Sequence, residues 1–264
     1  MLFRSNDTAT TEIYTVPYTL SLHDALPISA LLADGAGVGW PRFAIDARAR
    51  LRSGAAAVGH GEPMGAAARD FASGWSYAAL VYSRAAAVLD TLARVYGRGA
   101  LLRAIGGYAR RYRFEHPTLR DFIGAIEDVV GAPAARNLER ALFEQGWVDY
   151  QASEATSMPA NDGTWEGWAL IVRHGNLTFP VDVELSSADG ARQIVRWDGA
   201  GAWTRIPYRG TTRLAAVMVD PAVSITLDAN LLNNGIRLGP QRSPHRTLER
   251  FTYFAALALE GLMP

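Results

Sequence analysis

The spacing of hydrophobic positions changes partway along the chain. Between 74 and 143 apolar residues recur every three or four positions, the period of helices with one buried face; beyond 165 they alternate in short runs. The first pattern predicts a helix over 74–96, with Tyr77, Val81, Ala85, Val88, Leu92 and Val95 in one stripe and Gly97 as its stop. A second helix follows over 98–112, placing Leu101, Leu102, Ile105, Tyr108 and Tyr112 inward, although Gly106-Gly107 weakens it. Thr118-Leu-Arg-Asp121 has the form of a capping box and opens a third helix, with Phe122, Ile126 and Val129 on its core face and Gly131 at its end. Pro133 suits the first position of a fourth helix, which carries Leu138, Leu142 and Phe143. Weaker helical character surrounds 46–52.

Ser, Thr, Pro, Asn and Gly cluster over 153–163, the composition of a linker. Alternating runs come after it at 168–173, 177–185, 192–197, 203–208, 213–219 and 224–227, with turn signals at Asp189-Gly190 and Gly210. That spacing predicts a small antiparallel sandwich. The expected class is α+β: a helical bundle, an Ig-like antiparallel β-sandwich and a C-terminal helix. The divisions expected are 30–155 for the helical part, 156–240 for the sandwich and 241–264 for the last helix. The apolar run at 251–263 contains Glu260 and falls short of the ~18 residues that suggest a membrane span, so it predicts a packing helix.

Residues 1–29 have no usable period and stand apart. The nucleotide string GACGCTCTTCCGATCT encodes Asp-Ala-Leu-Pro-Ile in one frame, as at 24–28, and Leu-Phe-Arg-Ser one base along, as at 2–5. The segment therefore resembles a translated sequencing adaptor and is set apart from the fold, with His23 and Asp24. The start also lacks the basic-then-apolar order of a signal peptide.

Composition narrows the chemistry. Basic and acidic residues balance at 26 each, which argues against a nucleic-acid partner. With no cysteine among the 264 residues, thiolate metal sites, disulfides and cysteine nucleophiles are excluded. The remaining histidines, His60, His116, His174 and His245, are scattered, and no H-E-x-x-H occurs, so no zinc site is expected in this chain. Gly35-Ala-Gly-Val-Gly39 lacks the strand and βαβ unit that a phosphate loop needs. Gly74-Trp-Ser-Tyr-Ala78 approaches a nucleophile elbow, but the residues before it have a helical pattern and no acid–His order follows, so Ser76 is expected to begin a helix. Asn176-Leu-Thr178 matches a glycosylation sequon by chance.

Val81-Tyr-Ser-Arg-Ala-Ala-Ala-Val-Leu-Asp-Thr-Leu92 resembles the Tyr-x-Lys-Gly-x-x-Val-Leu-x-x-Leu helix of the gluzincin zinc metallo-aminopeptidases, the family of aminopeptidase N and leukotriene A4 hydrolase. The similarity continues through Thr118-Leu-Arg-Asp-Phe122 and Phe143-Glu-Gln-Gly-Trp-Val-Asp-Tyr150. It extends through Arg196-Trp-Asp-Gly199, Val219-Asp-Pro221, Leu227-Asp-Ala-Asn230 and Asn233-Asn234, covering about 65–240. The resemblance implies a peptide substrate, zinc in the intact parent, and Tyr82 as the catalytic tyrosine that donates to the oxyanion of the tetrahedral intermediate. A phenol suits that role because it offers one O–H where charge develops. Arg84 stands where the family has Lys, and Ala85 where it has Gly. The zinc-binding residues lie upstream of the tyrosine in the family, so the chain is expected to be a C-terminal fragment, inactive alone and without bound metal. Bacterial members are often associated with the cell envelope or periplasm, which the resemblance extends to the parent. The competing expectation is a non-catalytic scaffold of the same fold that binds a protein or peptide.

Overall fold

A computed structural model describes residues 38–40, 43–45, 47–56 and 62–239. The segment at 1–29 and the helix expected at 241–264 lie outside the described residues. The first elements are a short antiparallel pair, β1 (Val38–Trp40) and β2 (Phe43–Ile45), and helix α1 (Ala47–Ala56).

The run expected as one helix from 74 to 96 has three parts: α2 (Gly74–Ala78), a π-helical turn (Ala79–Arg84) and α3 (Ala85–Tyr96). Every residue from Arg84 to Leu92 is buried, so α3 is a central helix covered on all sides rather than one with a single buried stripe. Helices α4 (Arg98–Arg111), α5 (Leu119–Val130) and α6 (Ala132–Phe143) complete the helical part. The capping box at Thr118 forms as expected: the Asp121 N–H donates to Thr118 Oγ1 at 3.3 Å, and the Thr118 N–H donates back to Asp121 Oδ2 at 2.7 Å. Three residues expected inside are partly exposed: Leu102 by 48%, Val129 by 43% and Phe143 by 39%. Each lies at the margin of a helix face whose centre is filled by Leu101, Phe122 or Leu142.

The expected linker is not one. Strand β3 (Val148–Pro159) runs straight through it and pairs with β4 (Trp165–Gly175), the two joined by a turn at 160–164. The change from helix to sheet therefore falls at Gly146-Trp147, ahead of the expected boundary at 155. Strands β5 (Val181–Ser187), β6 (Arg192–Trp197), β7 (Trp203–Gly210) and β8 (Leu214–Val219) follow, and a short β9 (Gly235–Arg237) ends the sequence of elements. The stretch 224–227, expected as a strand, is a packed loop because its residues bond α3 instead of a sheet.

All pairings in the two larger sheets are antiparallel. One has the order β3-β4-β7, the other β6-β5-β8-β9. The class is thus α+β, helices followed by a sandwich of three- and four-stranded sheets. The constant-type immunoglobulin arrangement keeps its fourth strand beside the fifth; here β6 pairs with β5 in the opposite sheet. Val148, Tyr150, Ala169, Ile171 and Ile206 from one sheet are buried with Val183, Leu185, Leu214, Val217 and Val219 from the other. These residues share one continuous apolar core with α3, α5 and α6.

Candidate functional site

Tyr82 stands on the π-helical turn, half-buried, while Leu80, Val81 and Arg84 around it are buried. A π-turn takes an extra residue per turn, which re-aims side chains relative to a regular helix and is frequent at functional positions. Two devices hold the turn. At its start Ser73 and Ser76 form a reciprocal cap, with the Ser76 N–H donating to Ser73 Oγ at 3.0 Å and the Ser73 N–H donating to Ser76 Oγ at 3.2 Å. Ser76 is a buried helix-start residue, as the sequence led us to expect. At the other end the buried Arg84 guanidinium donates to the Gly146 carbonyl, and burial lowers its pKa from the ordinary arginine value. Arg84 thus has a structural use: its fork reaches the junction of helices and sheet.

Gly146 must be glycine there. A Cβ on it would lie 2.8 Å from Ala141 Cα and 2.9 Å from the Arg140 carbonyl oxygen. Helix α1 comes equally close on another side, where a Cβ on Gly54 would lie 2.5 Å from Ser83 Oγ. The Tyr82 ring meets Tyr77 edge-on with centroids 6.2 Å apart, and Tyr77 meets Phe71 in the same way at 5.3 Å. Tyr82 is therefore the end of an aromatic row, and its hydroxyl has no hydrogen-bond partner among the described residues.

The segment 219–234 builds a buried polar network. Asp220, at φ 50°, accepts from the Ser224 and Ile225 N–H groups at 2.8 and 2.7 Å. Asp228 accepts from the Asn230 N–H at 3.1 Å, from Asn234 Nδ2 at 3.0 Å and from the Tyr150 N–H at 3.4 Å. Burial, aided by the nearby Asp149 carboxylate, raises the Asp228 pKa to about 6 against these donors. Arg52 of α1 donates to the Asp228 carbonyl at 2.7 Å. Two α3 residues bind the same loop: Asp90 accepts from Thr226 Oγ1 at 2.5 Å, and Thr91 Oγ1 accepts from the Leu227 N–H at 3.3 Å. Asp90 and Thr91 were absent from the candidates; the signal was a pair of polar residues inside an otherwise apolar helix.

Arg196-Trp-Asp-Gly199 is likewise structural. Arg196 pairs with Asp182 at 2.8 Å, and Trp197 packs edge-on against Tyr150 at 5.7 Å. Gly199 adopts φ 68°, where a Cβ would lie 2.2 Å from the Phe179 carbonyl oxygen. The Tyr150 hydroxyl donates to that same carbonyl at 2.5 Å.

Among the described residues no group of three or more His, Cys, Asp or Glu is arranged to hold a metal ion. His174 lies on an exposed sheet face, its Nε2 3.0 Å from Gln151 Oε1, and His116 is exposed near the start of α5. His60 and His245 lie outside the described residues. No described helix is long and apolar enough to cross a membrane. The structure thus places Tyr82 in a defined, partly open setting.

No protein-family model matches the chain, and no curated protein matches it. Among solved structures, aminopeptidase A of Legionella pneumophila, in complex with aspartic acid, is similar at 16% identity and a TM-score of 0.41. The alignment covers 57% of this chain and 18% of that one, so the chain matches less than a fifth of that protein's length.

Proposed function

We propose that this chain is the C-terminal portion of a zinc metallo-aminopeptidase, with Tyr82 as the donor to the oxyanion formed when a peptide bond is attacked. One observation carries the reading. The tyrosine at the family's motif position is half-exposed, with no hydroxyl partner among the described residues, on a π-turn set into an otherwise buried helix. A donor fixed by a capped turn on one side and a buried arginine on the other loses little freedom when charge develops on the substrate oxygen, so it favours the transition state over the ground state.

Among the described residues no ligand set fits zinc. What this chain supplies is the phenolic O–H and the packed wall behind it. Substrate binding and water activation belong to residues outside those described.

The adjoining genomic sequence, read in frame upstream of the codon for residue 30, tests the assignment. An H-E-x-x-H followed by a glutamate ligand supports it. An intact upstream frame without that motif contradicts it, leaving a scaffold that binds a protein or peptide without catalysis.

A further inference from the structure

The outer face of the three-stranded sheet departs from the usual alternation. An antiparallel sheet with one solvated face turns polar side chains outward. Here the central strand β4 turns Trp168, Leu170 and Val172 outward, all half-buried, and β7 adds Trp203, which is 63% exposed. Charge flanks this apolar strip asymmetrically. The register places Glu154 of β3, Leu170 of β4 and Arg205 of β7 in a single row across the sheet. Both Glu154 and Arg205 are exposed, and among the described residues neither makes an ion pair. The Arg205 guanidinium instead lies over the Trp168 ring, 4.1 Å from its centroid.

We infer that this face docks a second copy of the same chain through a two-fold axis running along β4. That operation keeps each residue's height along the strand and exchanges the two flanks. The Glu154 of each copy then falls opposite the Arg205 of the other, while Trp168, Leu170 and Val172 meet their own counterparts. A two-fold interface has to be self-complementary in this way. A two-fold across the strands would instead bring rows of different composition together and leave both charges unmatched. Two sheets stacked face to face sit about 10 Å apart with their strands within about 30° of each other, which an axis close to β4 satisfies.

The strip sets the strength. Eight residues by three strands make a footprint of roughly 26 by 14 Å, under half of what each partner buries in a stable specific interface. The association is therefore weak and reversible, visible only at high protein concentration.

Sedimentation velocity of the whole chain from about 10 µM to about 1 mM tests this. The expected result is a shift from monomer toward dimer over that range. Glu154→Arg leaves the Arg205–Trp168 contact intact but sets two cations opposite each other across the axis, and should weaken dimerisation at least about tenfold. Arg205→Glu sets two carboxylates opposite each other, with the same effect. Combining Glu154→Arg with Arg205→Glu restores complementarity and should recover most of the loss. A chain that stays monomeric throughout overturns the inference, whether the strip is covered by another part of the chain or serves a different ligand. So does a dimer indifferent to both single substitutions. Far-UV circular dichroism of each variant confirms that these surface changes leave the fold intact.

Discussion

Gly146 shows how much of this structure depends on single atoms. Its missing Cβ lets the chain pass within contact of Ala141 and Arg140, and its carbonyl receives Arg84 from the π-turn. Gly146→Ala forces backbone against backbone and should cost about 2–3 kcal/mol, lowering the thermal midpoint by several degrees. A midpoint unchanged within a degree would show that the junction yields freely. Asp228 carries the pH dependence. Its pKa lies at about 6 in the folded protein, above the ordinary value of 3.8, so folding favours the protonated form. The stabilisation from this group is full below about pH 4 and is lost as pH rises through about 6, at most about 3 kcal/mol in all. Asp228→Asn mimics the protonated acid, and Asn234 can turn its unpartnered Oδ1 toward the new amide. Relative to wild type the variant should therefore gain up to about 3 kcal/mol between pH 4 and pH 7 in urea titrations; a difference that does not change with pH would contradict the assignment. At this scale the sequence was partly legible. The Thr118–Asp121 cap and the role of Ser76 follow from short local spacings. The burial of Asp228 does not, because its donors Asn234 and Tyr150 come from two different parts of the chain.

Among the elements, α3 does more than its apolar stripe suggests. It offers Asp90 and Thr91 to the loop at 224–227, and that loop in turn packs Ile225 into the shared core. Asp90→Ala removes the acceptor for a buried Thr226 hydroxyl and the partner of Arg94 at 3.0 Å. The expected loss is about 2–3 kcal/mol, read from the urea midpoint, since a buried donor is left unpaired. Asp90→Ala with Thr226→Val should cost distinctly less than the two separate losses added, because they share one bond. Simple additivity would mean the bond contributes nothing. The helices were legible because their contacts with the core repeat locally. Strand β3 was not, for two reasons: a register shift between Ala152 and Glu154 breaks its alternation, and its second half carries Ser, Thr and Pro, which belong to turns by composition alone. Nor did any spacing announce the π-turn, since the residues around it are apolar on every side.

In the molecule as a whole, helices and sheets are tied by hydrogen bonds and one shared apolar core, although the composition at 153–163 is that of a linker. Asn137 of α6 receives the Thr178 N–H at 2.8 Å and donates to the Thr178 carbonyl at 2.9 Å, and Arg140 donates to the Asn176 carbonyl at 2.8 Å. With the single apolar core, these bonds predict one cooperative transition: helical ellipticity and tryptophan fluorescence should report the same midpoint in urea. Two separated midpoints would contradict it. The central claim concerns Tyr82, and it is tested most directly in the intact protein that carries the zinc-binding segment. There Tyr82→Phe deletes one hydroxyl and keeps the ring against Tyr77. Turnover of an aminoacyl-arylamide should fall about 10²–10³-fold, with KM moved little and the thermal midpoint unchanged. Tyr77→Phe, the neighbouring ring, serves as the control and should keep its turnover within about threefold, since no oxyanion contact is lost. Equal turnover in the two variants would contradict the assignment of Tyr82 as the oxyanion donor.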